Sequence, residues 1–117
     1  MPRSSCAYLI DIIDACEAVE AALHGVDQSH YENNRLIRSS VERELILIGE
    51  AVASLARLDP SLAAHISHAR MIIGLRNLLT HEYAAIRDDT IWAIAVHDVP
   101  VLRAQCRALM EAMEGAG

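Results

Sequence analysis

Val41-Glu42-Arg43-Glu44-Leu45-Ile46-Leu47-Ile48-Gly49-Glu50-Ala51 lies near the middle of a 117-residue chain and decides how that chain folds. Val41, Leu45 and Ile48, continued by Val52 and Leu55, recur at alternating steps of four and three. At about 100° per residue these positions form one apolar stripe, a seam suited to antiparallel helix packing. The helix is predicted from about Asn34 to Leu58. Ile46 and Leu47 add apolar surface outside the seam, so this helix is expected to be covered from two directions. In so short a chain, the second cover is expected to be another copy of the chain, giving a homodimer. The alternative is a central helix in a monomeric bundle.

Toward the N-terminus, Ser4 or Ser5 is predicted to cap a first helix. Leu9, Ile12, Ile13, Cys16, Val19 and Leu23 share its inner face, with Asp11, Asp14, Glu17 and Glu20 mostly opposite. Gly25 ends that helix, and a polar connection through Asn33 and Asn34 leads to the second. Toward the C-terminus, Asp59-Pro60 stops the second helix and starts a short piece to about Ser67. A helix through Leu79 follows. Asp88-Asp89-Thr90 is predicted to cap a short helix with Ile91, Trp92 and Ile94. Asp98-Val99-Pro100 is predicted to begin the last, with Leu102, Cys106, Leu109 and Met113 inward. The expected fold is all-α, an up-and-down helical bundle of four to five helices in a single domain, 1–117.

Composition narrows the function. Hydrophobic residues make up 53% of the chain, yet no apolar run approaches the roughly 20 residues of a membrane span. The start, Met1-Pro2-Arg3-Ser4-Ser5, lacks the apolar core of a signal peptide. Cys6, Cys16 and Cys106 have no metal-ligand spacing and sit in apolar helical patterns, as reduced core thiols of a cytoplasmic protein would. A net charge of −6 argues against an indiscriminate nucleic-acid binder. It leaves room for a small basic cleft. All ten basic residues are arginines.

Arg76-Asn77-Leu78-Leu79-Thr80-His81-Glu82-Tyr83 supplies the chemistry. Arginine is a permanent cation with a rigid fork of donors suited to phosphate. Histidine exchanges protons near neutral pH. Tyrosine adds a hydroxyl and a ring on which a base can stack. On the helix, Arg76 falls among Ile72, Ile73 and Leu79, and a buried guanidinium needs a carboxylate. Glu44 and Glu50 are the candidates. Tyr83 returns to the face of Arg76, while His81 lies some 140° away at the helical period, beside Asn77, Gly74 and Arg70. One straight helix cannot aim all three at one atom. Either the helix ends near His81 and the chain turns, or the site closes across a dimer seam.

The remaining motifs are weaker. His65 and His68, three apart on a predicted helix, have no third ligand at a metal-binding spacing. His24, His30 and His97 read as surface or helix-end residues. There is no Gly-rich phosphate loop and no Gly-x-Ser-x-Gly elbow. No metal ion and no cofactor are expected.

From about Leu9 to Leu109 the chain resembles the HepT-like members of the HEPN superfamily. The likeness rests on Val41 to Ala51, Ile73-Gly74-Leu75-Arg76-Asn77, Thr80-His81-Glu82-Tyr83, Ile91-Trp92 and Asp98-Val99-Pro100-Val101-Leu102. It implies an all-helical homodimer whose Arg, His and Tyr motifs face a shared cleft. It further implies an RNA-cleaving toxin of a toxin–antitoxin pair, acting on tRNA or mRNA. The implied antitoxin is a small MntA-like nucleotidyltransferase that transfers AMP from ATP to the motif tyrosine, here Tyr83. Glu82 departs from the family's usual pattern, which has glycine between His and Tyr.

On this reading Arg76 and His81 are catalytic, with Asn77 and Tyr83 positioning the substrate. Cleavage is expected to use the RNA 2′-hydroxyl and no metal. Two rival readings stand beside it. One is a non-catalytic helical binding subunit associated with a nucleotidyltransferase. The other is a plain helical dimer with no site.

Overall fold

The computed structural model describes residues 3–116, with the side chains of Tyr83 and Ala116 outside that description. Helix α1 spans Ser5–Ala22 and begins as expected, with the Ser4 hydroxyl accepting from the Ala7 amide at 3.1 Å. Its stripe of Leu9, Ile12, Cys16 and Val19 is buried. Leu23 forms the C-cap, and Gly25 follows in the left-handed region at φ +73°.

The polar connection contains a short helix the sequence reading missed. Helix α2, Gln28–Asn33, is capped by Asp27, whose carboxylate accepts from the His30 amide at 2.8 Å. Its single inward residue, Tyr31, is fully buried and packs on Trp92 with ring centroids 5.6 Å apart. One buried residue in six leaves no periodic signal, which is why composition suggested a loop.

Helix α3, Arg35–Leu58, carries the decisive seam. Asn34 caps it, and Val41, Leu45, Ile48, Val52 and Leu55 are all buried. The second apolar face is divided. Ile46 packs against the core of the same chain, whereas Leu47 is 41% exposed. Asp59 then caps α4, Pro60–Ala63, with proline in its first turn as expected.

The chain between α4 and α5 (Ala69–His81) is turn, so His65 and His68 do not share a helix face as predicted. His68 takes a left-handed conformation at φ +61° just before α5. Among the described residues no three His, Cys, Asp or Glu side chains come together as a metal-binding group.

A 3-10 turn at Tyr83–Ala85 follows α5, and α6 covers Asp88–Ala93. Its N-cap is Arg87, with Asp88 and Asp89 in the first turn. Arg87 beside Asp89 holds that carboxyl below its usual range. A further difference lies at Asp98-Val99-Pro100, which does not begin a separate helix. The chain continues from α6 through a π turn, Ile94–Asp98, into α7, Val99–Ala116. The Val99 amide donates to the Ile94 carbonyl five residues back. Pro100 has no amide to give and its ring crowds the preceding turn. The wider π turn absorbs that loss within a continuous helix.

Helix α3 packs against α1 on one side and α5 on the other, and α1 also packs against α7. Arg103 Nε bonds Glu20 at 2.9 Å and Arg107 bonds Glu17, tying α7 to α1. The fold is all-α and compact, with no strand among the described residues. Among the described residues no helix is long and apolar enough to cross a membrane.

Cys16 and Cys106 are buried free thiols, and burial pushes both up to about 12. Cys6 is only half-buried. Raised thiol values keep Cys16 and Cys106 protonated, hence unreactive, until the pH nears that range. Iodoacetamide at pH 8 is therefore expected to modify Cys6 alone in the folded chain. Mass spectrometry after denaturant should show the other two becoming reactive.

Candidate active site

The site grows from the C-terminal half of α5. Ile72, Leu75 and Leu79 are buried, and they seat the helix on α3. Their spacing puts Arg76 at the edge of the apolar face, where its side chain is 34% exposed. The backbones approach closely there because position 49 is glycine. A Cβ on Gly49 would stand 2.3 Å from Arg76 Cβ and 3.2 Å from the Ile72 carbonyl oxygen.

The guanidinium is held from two sides. Nη1 donates to Asn77 Oδ1 at 2.7 Å. Nε lies 3.9 Å from Glu50 Oε1, so Glu50 is the partner among the two predicted candidates. That separation is an ion pair but not a hydrogen bond. Nε itself is buried with no acceptor, a condition that costs about 1–3 kcal/mol. Glu44 instead lines a groove of about 580 Å³ between α1 and α3, together with Arg3, Asp11, Asp14 and Glu50. Its carboxylates outnumber its one cation, so the groove repels a polyanion.

His81 is the last residue of α5 and is exposed. No hydrogen bond joins its side chain to a described side chain. The helix stops there because Glu82, at φ −128° and ψ 48°, is not helical; its amide still bonds the Leu78 carbonyl. Within the chain, α5 ends at His81 and the backbone turns at Tyr83–Ala85. The side chain of Tyr83 lies outside the described residues. Thr80 Oγ1 donates to the Arg76 carbonyl at 2.9 Å and stays with the helix. Asn77 is exposed and joined to Arg76 rather than to His81.

Sequence reading named Arg76, Asn77, His81 and Tyr83 but gave Gly49 no role. A signal was present. Glycine inside a helix costs about 1 kcal/mol relative to alanine, so one amid an apolar seam points to a close contact.

Residues 12–109 match the ribonuclease HepT-like family. The chain belongs to that family. Among the relatives of this HepT-like chain, "Putative RNase MJ1380" of Methanocaldococcus jannaschii is 32% identical over 97 residues, 83% of the chain and 88% of the relative. From the same organism, "Putative RNase MJ1216" is 26% identical over 109 residues, covering 93% and 89%. "Putative RNase TTE0752" of Caldanaerobacter subterraneus subsp. tengcongensis is 25% identical over 104 residues, covering 89% and 92%. No solved structure matches. The enzyme class the family carries, ribonuclease, is the one the Arg76–His81 motif led us to expect.

Proposed function

We propose that this HepT-like chain is a metal-independent endoribonuclease, the toxin of a toxin–antitoxin pair, working in the cytoplasm as a homodimer of up-and-down bundles. The observation that carries the reading is the end of α5. An exposed imidazole stands on its last residue, five positions after a guanidinium anchored by Asn77.

RNA brings its own nucleophile, the 2′-hydroxyl. His81 of one copy takes the 2′ proton as that oxygen bonds phosphorus. His81 of the second copy protonates the 5′-oxygen as its bond to phosphorus breaks. Arg76 stabilises the charge that builds on the five-coordinate phosphate. The products are a 2′,3′-cyclic phosphate and a 5′-hydroxyl. Nothing in that sequence of bonds calls for a metal-bound hydroxide.

Gly74 supports the second copy. It lies within α5, and beyond its own turn of helix no described residue comes within 4 Å of where its Cβ would stand. The fold of a single chain gives no packing reason for that glycine, whereas close approach of another copy does.

The MntA-like nucleotidyltransferase would silence the enzyme by moving AMP from ATP to the Tyr83 oxygen, releasing pyrophosphate. A bulky anion there blocks the cleft and repels RNA phosphate. Tyr83→Phe is expected to escape silencing while still cutting RNA. Labelling of Tyr83→Phe at wild-type level by the transferase would reassign the modified residue.

The test is cleavage of end-labelled tRNA and an mRNA in excess EDTA, using chain made without the transferase. Cyclic-phosphate ends are expected. An absolute need for Mg²⁺ or Zn²⁺ would overturn the mechanism. No cleavage by unmodified chain would favour the non-catalytic binding subunit.

A further inference from the structure

Arg76 is gripped from two sides, and only one grip belongs to the motif. Asn77, the next residue, takes one Nη1 hydrogen at 2.7 Å. On the other side, buried Nε faces Glu50 Oε1 at 3.9 Å. Glu50 comes from a different helix, and Gly49 beside it lets that helix reach the Arg76 stem.

We propose that Glu50 is a positioning residue of the ribonuclease: it accepts the Arg76 Nε–H and, with Asn77 on Nη1, fixes the plane of the guanidinium. This rests on the ribonuclease reading above. An arginine has five N–H donors. With Nε given to Glu50 and one Nη1 hydrogen given to Asn77, the other Nη1 hydrogen and both on Nη2 remain. They form a preset fork for a phosphate.

The gap to close is about 1 Å beyond a usual N–H···O contact. The Glu50 side chain is half exposed, which leaves it room to turn toward Nε. No other described acceptor bonds this buried N–H.

Glu50 also places a negative charge beside the RNA-facing cation. Its two effects on the reaction have opposite signs, which makes them separable. Holding the fork raises kcat. The charge weakens RNA binding and raises KM.

The experiment compares Glu50→Ala and Glu50→Gln in RNA cleavage and in NMR of the arginine Nε–H groups. Arg76→Lys identifies the Arg76 signal. Glu50→Ala is expected to lower kcat about 10-fold through lost orientation, with KM unchanged or lower. It should also abolish the exchange protection of the Arg76 Nε–H. Glu50→Gln keeps the acceptor oxygen, so kcat should stay within about 3-fold of wild type while KM falls and the Nε–H stays protected. Equal kcat in all three proteins would overturn the proposal, as would an Nε–H that stays protected in Glu50→Ala. A kcat lowered equally by both variants would reduce Glu50 to its charge and overturn it too. If the wild type fails to cut RNA, the functional reading falls, and the NMR arm still decides whether Glu50 holds Arg76.

Discussion

His81→Ala should lower RNA cleavage about 10²–10⁴-fold, the range typical of losing a positioned general acid or base. Stability should barely move. His81 is exposed at the last position of α5, and its side chain bonds no described side chain. Surface substitutions of that kind usually change stability by less than about 0.5 kcal/mol. In a dimer whose two copies divide the acid and base roles, the substitution removes both at once. The loss then lies toward the upper end of the range. The assay is initial-rate cleavage in EDTA beside a thermal melt. Unchanged cleavage would remove His81 from the chemistry and trace the activity to another site or a contaminant.

Gly49→Ala should act through the fold and the site together. The added methyl would sit 2.3 Å from Arg76 Cβ. That atom is fixed to the backbone of α5 and cannot rotate away, so α3 and α5 must part. Overpacking of this kind costs roughly 1–3 kcal/mol. The intrinsic preference of helices for alanine offsets about 1 kcal/mol at most. For a domain of this size, the net loss should lower Tm by several degrees, at about 4 °C per kcal/mol. Cleavage should fall even well below the melt, because Arg76 and Glu50 lie on the two helices being separated. A melt and a rate both equal to wild type would mean the approach of α3 and α5 is looser than described.

Much of the fold was legible in the sequence because its helices announce themselves by period and cap. Val41 to Leu55 form a seam, Ser4 accepts from the Ala7 amide as a cap, and Asp59-Pro60 closes one helix while opening another. What escaped reading had no local signature. Helix α2 buries Tyr31 alone, so that segment joins the core only through tertiary contacts with α3 and with Trp92 of α6. Pro100 looked like the start of a helix because proline favours first turns; instead the π turn Ile94–Asp98 carries the chain through it within one continuous helix. His65 and His68 looked paired until the chain between α4 and α5 proved to be turn.

The candidate site divides the same way. Arg76, Asn77 and His81 could be named as candidates because residue type and spacing alone suggest their chemistry. Glu50 was one of two carboxylates that fitted. Gly49 carried only the general signal of a glycine inside a helix, and its particular meaning comes from Arg76 lying opposite.

Trp92 is the only tryptophan in the chain, and its ring lies against Tyr31. Its fluorescence is therefore an unlabelled optical reporter of whether α2 is seated on α6. Light emitted from the indole shifts to longer wavelength as water reaches it, so partial loosening there registers before the whole chain unfolds. The reporter lies outside the Arg76–His81 motif. A change at His81 should leave the emission where it is, and a change that parts the helices should move it.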